Sequence, residues 1–454
     1  MLASFLATYA LCASARADVA PAVLAAFLAL AMTRRVEPFA WDAAMRRFVT
    51  LPLVGIAAAL VGLALHTVPP LGAALFCAAM FVAVWLRNYG PRAAAIGTTI
   101  AMPLVAMLVV PVRVSEGRGP IFDVLLVLAA GAIAVVITSI AALFRGAEAR
   151  EAAAAVPRVS TLKPSAPSRM ALQLLLALIA AFAVGLIFVP AHWPWIVLSA
   201  YIVCAGARGR GDALYRGLLR FGGAIAGTLA ASLVPHVALP NPIAGAAVIF
   251  AVLFAGMALR DRSYAYWAAA TTLIFALLQA PQAQTGFELF AARLACIAIG
   301  ALFGAAAAWF VFPIPTGDMI RLRLAEALRD FGEALVPGEG RAARIARFER
   351  AVDALDRAAK PVELHRLVTR GGDEEHPAVW IARGRAAFAR GRDLFARDAA
   401  APKHVAGAIG QARRAVGARA GIADALRRVH DAVDAAAGQA PGLAVERREP
   451  GDER

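Results

Sequence analysis

Residues 170–189 read MALQLLLALIAAFAVGLIFV, twenty consecutive residues without a charged side chain. A helix of this length is about 30 Å long, which matches the hydrocarbon core of a lipid bilayer. The whole chain of 454 residues is 61% hydrophobic, whereas soluble domains are about 45–50% apolar. The mean hydropathy is correspondingly high, at +0.67. The stretch therefore predicts a transmembrane helix.

Similar apolar runs recur through the first 313 residues and predict an all-α polytopic membrane protein of about twelve transmembrane helices. The first run is short for a span, and LCASARA at 11–17 resembles a signal-peptide cleavage region. No basic residue precedes it, so we expect a retained helix. The runs lie at 2–15, 19–33, 50–66, 70–86, 93–111, 120–144, 170–189, 193–207, 221–235, 241–259, 264–280 and 287–313.

The basic residues predict the orientation. Residues 1–313 carry 21 Lys and Arg against 10 Asp and Glu, and seventeen of the basic residues fall in alternate loops. The opposite loops hold only Arg16, Arg113 and Arg118. Cytoplasmic loops are rich in Lys and Arg, so both termini are predicted to face the cytoplasm of a bacterial inner membrane, and nucleic-acid binding is not indicated. The seventeen are Arg34, Arg35, Arg46, Arg47, Arg87, Arg92, Arg145, Arg150, Arg158, Lys163, Arg169, Arg208, Arg210, Arg216, Arg220, Arg260 and Arg262.

Residues 21–131 repeat with a constant offset of 173. Each copy would hold six helices, an even number, so both copies would enter the membrane the same way round. We therefore expect two parallel six-helix repeats related by a pseudo-two-fold axis along the membrane normal; a chance origin is the alternative. The matched pairs are Pro21 and Pro194, Arg35 and Arg208, Arg47 and Arg220, Phe48 and Phe221, Arg87 and Arg260, Thr98-Thr99 and Thr271-Thr272, and Gly131 and Gly304.

A change of composition after the last apolar run predicts a soluble tail. Residues 314–454 carry 25 Lys and Arg against 21 Asp and Glu, and a stripe of apolar residues at spacings of three and four predicts three to five amphipathic helices, packed together or onto the basic inner face. The stripe is Ile320, Leu324, Leu328, Phe331 and Leu335. The predicted domains are 1–144 (transmembrane repeat 1), 145–169 (cytoplasmic linker), 170–313 (transmembrane repeat 2), 314–440 (cytosolic helical domain) and 441–454 (disordered tail).

Several stretches carry a family resemblance. In HWPWIVLSAYIVCAGARGRGDALYRGLLRFGGAIAGTLAASLV (192–234), a Trp-led helix precedes a basic loop and an Arg-x-x-Gly-x-x-x-Gly helix. RLACIAIGALFGAAAAWFVFP (293–313) has a small-residue face and ends in Phe-Pro, and RNYGPRAAAIGTT (87–99) parallels RDRSYAYWAAATT (260–272). Together these stretches resemble the FUSC superfamily of fusaric acid resistance proteins and aromatic acid exporters, over most of 190–313 and more faintly over 20–144.

The resemblance implies proton-driven export of aromatic or other weak organic acids across the inner membrane, with a periplasmic membrane-fusion protein as partner. A related branch, the plant aluminium-activated malate transporters, implies that similar helices can form an anion-conducting dimer, which leaves a homo-oligomer open. The linker 145–169 is too short for the large soluble insert of longer family members. An anion channel and a non-transporting envelope assembly factor are the alternative functions.

Arginines at predicted cytoplasmic helix ends are candidates for attracting a carboxylate. Their alternative role is to anchor the topology by reaching the lipid head groups. Hydroxyl groups within the spans could donate to the substrate or bond back to their own helix. The arginines are Arg35, Arg47, Arg87, Arg208, Arg220 and Arg260, with Arg47 and Arg220 preferred because a Gly-rich helix follows each; the hydroxyl candidates are Thr98, Thr99, Thr271 and Thr272.

Arg293 lies inside the last predicted span. An ionisable residue there is expected to be functional or paired, in this chain with Asp123 or Glu288. Trp193, Trp195 and Tyr201 are candidates for stacking on an aromatic substrate, and the two tryptophans, with His192, would equally suit an interfacial belt.

The sequence lacks the motifs that are typical of several other classes of protein. Lys163, Lys360 and Lys403 are followed by Pro, Pro and His, so no phosphate-binding loop for ATP is present. The loop RRVEPFAWDAAMRR (34–47) does not fit the major-facilitator pattern, and no nucleophile or paired carboxylates stand out. Isolated cysteines and dispersed tail histidines predict neither a metal site nor a disulfide, so we expect a non-enzyme without cofactors. These residues are Cys12, Cys77, Cys204, Cys296, His365, His376, His404 and His430.

Overall fold

The computed structural model is all-helical, with no strand among the residues that it describes. The chain divides into two compact units, residues 1–314 and 315–454. The described residues are 2–15, 21–22, 24–25, 28–29, 41–109, 119–143, 165–207, 209–233, 242–260, 262–279, 287–369, 376–395 and 402–438.

The helices of the first unit agree with most of the predicted apolar runs to within a few residues. They are α1 (Leu2–Ser14), α2 (Trp41–Thr67), α3 (Pro69–Trp85), α4 (Pro91–Val109), α5 (Gly119–Leu143), α6 (Ala166–Phe188), α7 (Trp193–Gly206), α8 (Arg210–Leu233), α9 (Pro242–Leu259), α10 (Tyr264–Gln279) and α11 (Phe287–Phe310). A 3-10 turn, Leu86–Tyr89, joins α3 to α4. The described residues between 21 and 29 are helical as well.

The outer surface of the first unit is apolar. Four described helical stretches are long and apolar enough to cross a membrane: Phe48–Thr67, Pro69–Tyr89, Ala166–Phe188 and Ala291–Phe310. Large side chains on two of them point away from the core; Phe188 is 73% exposed and Phe310 79% exposed. Such a surface is solvated by lipid rather than by water, so the predicted class of helical membrane protein is confirmed.

Two helices begin earlier than predicted. The runs 50–66 and 221–235 mark only part of α2 and α8, which begin at Trp41 and Arg210. Basic residues that we assigned to loops therefore lie within helices, and that assignment was wrong. Arg and Ala are strong helix formers and no proline interrupts either extension, so each helix continues beyond its most apolar part. The reassigned residues in these two helices are Arg46, Arg47, Arg210, Arg216 and Arg220. Arg92 and Arg169, which we also assigned to loops, lie in the first turns of α4 and α6.

Glycines bring the helices of the second half into backbone contact. A Cβ atom on Gly300 of α11 would lie 2.2 Å from the carbonyl oxygen of Ile196 on α7. Between α8 and α10, a Cβ on Gly227 would lie 2.4 Å from the Ala269 carbonyl oxygen. Small residues allow such close approach in membranes, and the predicted small-residue face of α11 is confirmed.

Polar contacts at helix ends join α6 to two other segments. The Asn88 side-chain amide, in the 3-10 turn after α3, donates to Ser168 Oγ over 2.9 Å, and the Ser165 hydroxyl donates back to the Asn88 side-chain oxygen. Ser165 also caps the start of α6. Farther along α6, Gln173 Nε2 donates to the Val311 carbonyl oxygen over 2.8 Å, just beyond α11.

The second unit has its own apolar core. Its helices are α12 (Thr316–Ala334), α13 (Arg341–Thr369), α14 (Pro377–Phe395), α15 (Lys403–Ala418) and α16 (Ile422–Gly438). All five residues of the predicted stripe are buried, which confirms the amphipathic character of α12. The rings of Phe348, Phe388 and Phe395 surround Phe331 at centroid distances of 5.2, 5.6 and 6.0 Å.

Gly300→Ala should destabilise the first unit by about 1–3 kcal/mol, because the added methyl group forces α7 and α11 apart. The control is Gly222→Ala on α8, where an added Cβ meets nothing within 4 Å. Thermal unfolding in detergent would measure both variants, and equal stability of the two would contradict the proposed backbone contact.

Phe331→Ala should destabilise the second unit by about 3–5 kcal/mol, because it leaves a cavity among three aromatic rings. Leu322→Ala, also on α12, is the control, since Leu322 is 52% exposed. Limited trypsin digestion of the full chain should cut residues 315–438 much faster in Phe331→Ala than in the control; matching digestion rates would argue against this core.

Candidate anion-binding site

Polar side chains line the contact between α8 and α10, which we call the α8–α10 seam. A Cβ on Gly223 would meet the Ala265 carbonyl oxygen and one on Gly227 the Ala269 carbonyl oxygen, so the two helices run parallel. Arg220 contributes from α8. Tyr264, Thr271 and Thr272 contribute from α10.

Arg220 is the central charge of this seam and is only 1% exposed. Its Nη1 donates to Thr271 Oγ1 over 3.2 Å. Its Nε is buried and has no hydrogen-bond partner among the described residues. Within the described ranges, no carboxylate lies within salt-bridge distance of the guanidinium. A buried cation normally has an anionic partner, so this position suits an anionic ligand.

The threonine hydroxyls bond to their own helices. Thr98 and Thr99 donate to the Ala94 and Ala95 carbonyl oxygens over 3.1 and 3.0 Å. Thr271 and Thr272 both donate to the Ala268 carbonyl oxygen, over 3.0 and 2.9 Å. Thr271 additionally accepts from Arg220 and thereby holds the guanidinium in place.

Thr228 differs from these four threonines. It is 8% exposed, and its hydroxyl has no hydrogen-bond partner in the part of the chain that the structure describes. It lies about two helical turns beyond Arg220 on α8. Helix α8 thus carries a buried hydroxyl group without a described partner, in addition to the guanidinium Nε–H group of Arg220.

A cluster of cations surrounds the N-terminal end of α10. The buried Tyr264 hydroxyl lies beside Arg220, and Arg216 and Arg260 are also close enough to act on it electrostatically. Arg260 is exposed, and Arg216 pairs with Asp212 over 3.1 Å. The three guanidinium groups make this end of the seam strongly electropositive.

A second buried arginine lies between α7 and α11. Arg293 is 2% exposed, and its Cζ lies 4.6 Å from the ring centroid of Trp195, a cation–π contact. The partners expected from the sequence, Asp123 and Glu288, have side chains outside the described part. Sequence reasoning named Arg293 and Trp195 separately and did not pair them.

The remaining aromatic candidates have different surroundings. Trp193 is 7% exposed and packs against Phe182 and His66, at centroid distances of 5.4 and 6.2 Å. It is a core residue here rather than part of a belt facing head groups. Tyr201, on α7, is half-buried.

The structure places only some of the six arginines that the sequence predicts at cytoplasmic helix ends. Arg87 lies exposed in the 3-10 turn after α3, as Arg260 does after α9. Arg35 and Arg208 fall outside the described residues, as does the side chain of Arg47. Of the six, the structure brings Arg220 and Arg260 together around Tyr264, and a shared role of all six in attracting a carboxylate stays a prediction.

Sequence reasoning missed Tyr264 and Thr228. Tyr264 stands in RDRSYAYWAAATT, next to a basic turn and about two helical turns before the threonine pair. That position is the feature of the sequence that could have identified it. Nothing in the pattern around Thr228 distinguishes it from other membrane threonines.

The described residues offer no alternative metal or redox centre. Among them, no three His, Cys, Asp or Glu side chains are grouped to hold a metal ion. The four cysteines, all of them described, are buried and form no disulfide.

Residues 176–307 match the model of a protein family described as fusaric acid resistance protein-like. Through this segment the chain is similar to the fusaric acid resistance proteins of the FUSC family. The matched segment runs from α6 to α11 and contains the α8–α10 seam, Arg293 and Trp195. No curated protein and no solved structure matches the chain. The FUSC family is a transporter family, and the match supports a role in membrane transport or efflux.

Arg220→Met should leave the protein as stable as the parent or stabilise it by about 1–4 kcal/mol, because it replaces a buried charge with an apolar side chain of similar length. Arg216→Met, which breaks the pair with Asp212, should instead be neutral or mildly destabilising. Thermal unfolding without ligand would measure both, and a loss of several kcal/mol in Arg220→Met would show that Arg220 serves the fold.

Proposed function

We propose that this protein exports aromatic or other weak organic acids, as anions, across the bacterial inner membrane and draws on the proton-motive force. One observation carries the proposal: Arg220 is 1% exposed and has no carboxylate partner among the described residues, within the segment that matches the family. The family description, fusaric acid resistance protein-like, supports an organic acid as substrate.

The chemistry of the seam suits a carboxylate. A guanidinium presents its N–H groups in a planar fork that binds both oxygens of a carboxylate. Thr271 holds Arg220 from one side, and the Tyr264 hydroxyl beside it is a further group that can donate. Arg216 and Arg260 would raise the local concentration of anions at the entrance to this site.

We further propose the complete architecture of twelve spans in two parallel repeats. In its support, α9 begins 173 residues after α3, and α10 begins 173 residues after α4. Helix neighbours recur with the same offset: α2 contacts α4 and α5, as α8 contacts α10 and α11. The transport path would then lie between the halves or be present in each of them.

The basic loops support an orientation with both termini in the cytoplasm. In that orientation the N-terminal ends of α8 and α10, with Tyr264 and the three arginines, face the cytoplasm, where the acid is collected. The lipid bilayer and the acid are the proposed partners, and a periplasmic membrane-fusion protein would receive the acid on the other side. Assembly as a homo-oligomer is compatible with this scheme.

Efflux of preloaded, labelled hydroxybenzoate or fusaric acid tests the function. Cells that express the chain should retain less label than cells without it, and an uncoupler should abolish the difference. Arg220→Gln should reduce efflux at least tenfold, whereas Arg220→Lys should keep part of it because the charge remains but the fork is lost. Arg92→Gln, at an exposed position of α4, is the control and should export normally.

The same experiment separates the alternatives. Anion currents that persist without a proton gradient would support a channel instead. Equal retention of label with and without the chain would reject transport of these acids and leave an assembly role.

A further inference from the structure

Helix α15 of the second unit is basic on the side that faces away from the core of that unit. Val405, Ile409 and Val416 are buried, so they fix which side of the helix packs inward. The opposite side carries exposed cations, and no described residue forms a hydrogen bond or an ion pair with any of them. These cations are Lys403, Arg413 and Arg414.

Helix α15 also lacks acidic residues. Residues 403–418 contain no Asp or Glu, whereas each of the other four helices of the second unit contains at least one. Those carboxylates bind cations of neighbouring helices; Arg392 of α14, for example, donates to both side-chain oxygens of Glu349, over 2.8 and 2.7 Å. The positive charge of α15 is not neutralised within its own helix.

Two glycines lie between cations on the exposed side. Lys403, Gly407, Gly410 and Arg414 follow one another at spacings of four, three and four residues, which places them on one face of α15. A Cβ atom on Gly407 would meet nothing within 4 Å, and one on Gly410 would meet only the Arg414 guanidinium, at 3.9 Å. Packing within the unit therefore requires glycine at neither position, although glycine weakens a helix relative to alanine. The result is a flat strip, roughly 16 Å long, with a cation at each end.

The covalent link keeps the second unit close to the bilayer. Helix α11 ends at Phe310 and α12 begins at Thr316. A stretch of this length reaches at most about 20 Å, even when fully extended. Because α11 contains one of the stretches that are long and apolar enough to cross a membrane, Ala291–Phe310, the link starts at a membrane surface.

We propose that the exposed face of α15 binds the head groups of anionic phospholipids at this membrane surface. Basic residues beside a bilayer attract anionic lipids, and the missing side chains between Lys403 and Arg414 let the head groups approach the helix along the whole strip. A second copy of the chain fits this face less well, because two such faces in contact would bring cations against cations. The proposal goes beyond the export function and does not depend on it.

A dye on α15 tests the proposal in the full chain. Gln411 is exposed next to the strip, and the four native cysteines are buried, so an environment-sensitive thiol dye labels Gln411→Cys selectively. The dye emission should shift to the blue in nanodiscs of phosphatidylcholine and phosphatidylglycerol, relative to nanodiscs of phosphatidylcholine alone. Salt at roughly 1 M should reverse the shift, because it screens charges beyond about 3 Å. Identical emission in the two kinds of nanodisc would overturn the proposal.

Variants in the labelled chain assign the shift to the strip. Lys403→Gln and Arg414→Gln should each reduce the ratio of lipid-bound to free α15 about fivefold, as expected for the loss of one basic residue at a membrane surface. The control, Arg350→Gln, removes the same charge from an exposed position of α13 and should leave the ratio unchanged. An equal reduction in Arg350→Gln would show that net charge, and not this face, attracts the lipid, and the proposal would be wrong.

Oxidative cross-linking of unlabelled Gln411→Cys checks for the other occupant. The chain should remain a monomer under oxidising conditions in detergent without phosphatidylglycerol, because nothing then covers the face. A disulfide-linked dimer would show that a second copy of the chain packs against α15, and it would refute the lipid site.

Discussion

The physical constraint on this protein is the cost of holding guanidinium groups between helices that lie in lipid. Hydrocarbon offers no water to solvate a charge, so each buried arginine depends on groups supplied by the helices around it. Glycines make those groups available, because they let α8 approach α10, and α7 approach α11, to backbone contact. Arg220 and Arg293 are consequently enclosed by protein, at 1% and 2% exposure, instead of reaching for the head groups.

Much of the fold can be predicted from the lengths of the apolar runs, because every helix that crosses the bilayer must match its thickness. The starts of α3, α4, α7 and α11 follow the sequence closely, with proline at or beside the first position in the first three. The starts of α2 and α8 do not follow the apolar runs, because polar residues that favour helix formation extend a helix beyond its apolar part. The sequence also predicts that the tail contains amphipathic helices, as the buried stripe from Ile320 to Leu335 shows.

The residues of the site are harder to predict from the sequence. Contacts between side chains of different helices depend on how each helix is rotated about its axis and how deep it lies in the membrane, and no local sequence pattern determines either. Sequence reasoning selected Arg220 and Thr271 individually, and offered head-group anchoring as an equally natural role for the arginine. Misplacing the start of α8 hid the burial of Arg220, since a residue thought to end a loop is assumed to reach water. The contact of Arg293 with Trp195 joins positions almost a hundred residues apart, and only the packing of α7 on α11 shows it.

Asn88 has a consequence for how the two halves of the first unit can move. Its side chain exchanges hydrogen bonds with Ser165 and Ser168 at the start of α6, and Phe76 packs edge-on against Phe182 along the same pair of helices. One edge of the first half is thus tied to one edge of the second by both polar and apolar contacts. A rocking motion between the halves would pivot about this hinge line, so the widest opening would occur at the edges farthest from α3 and α6.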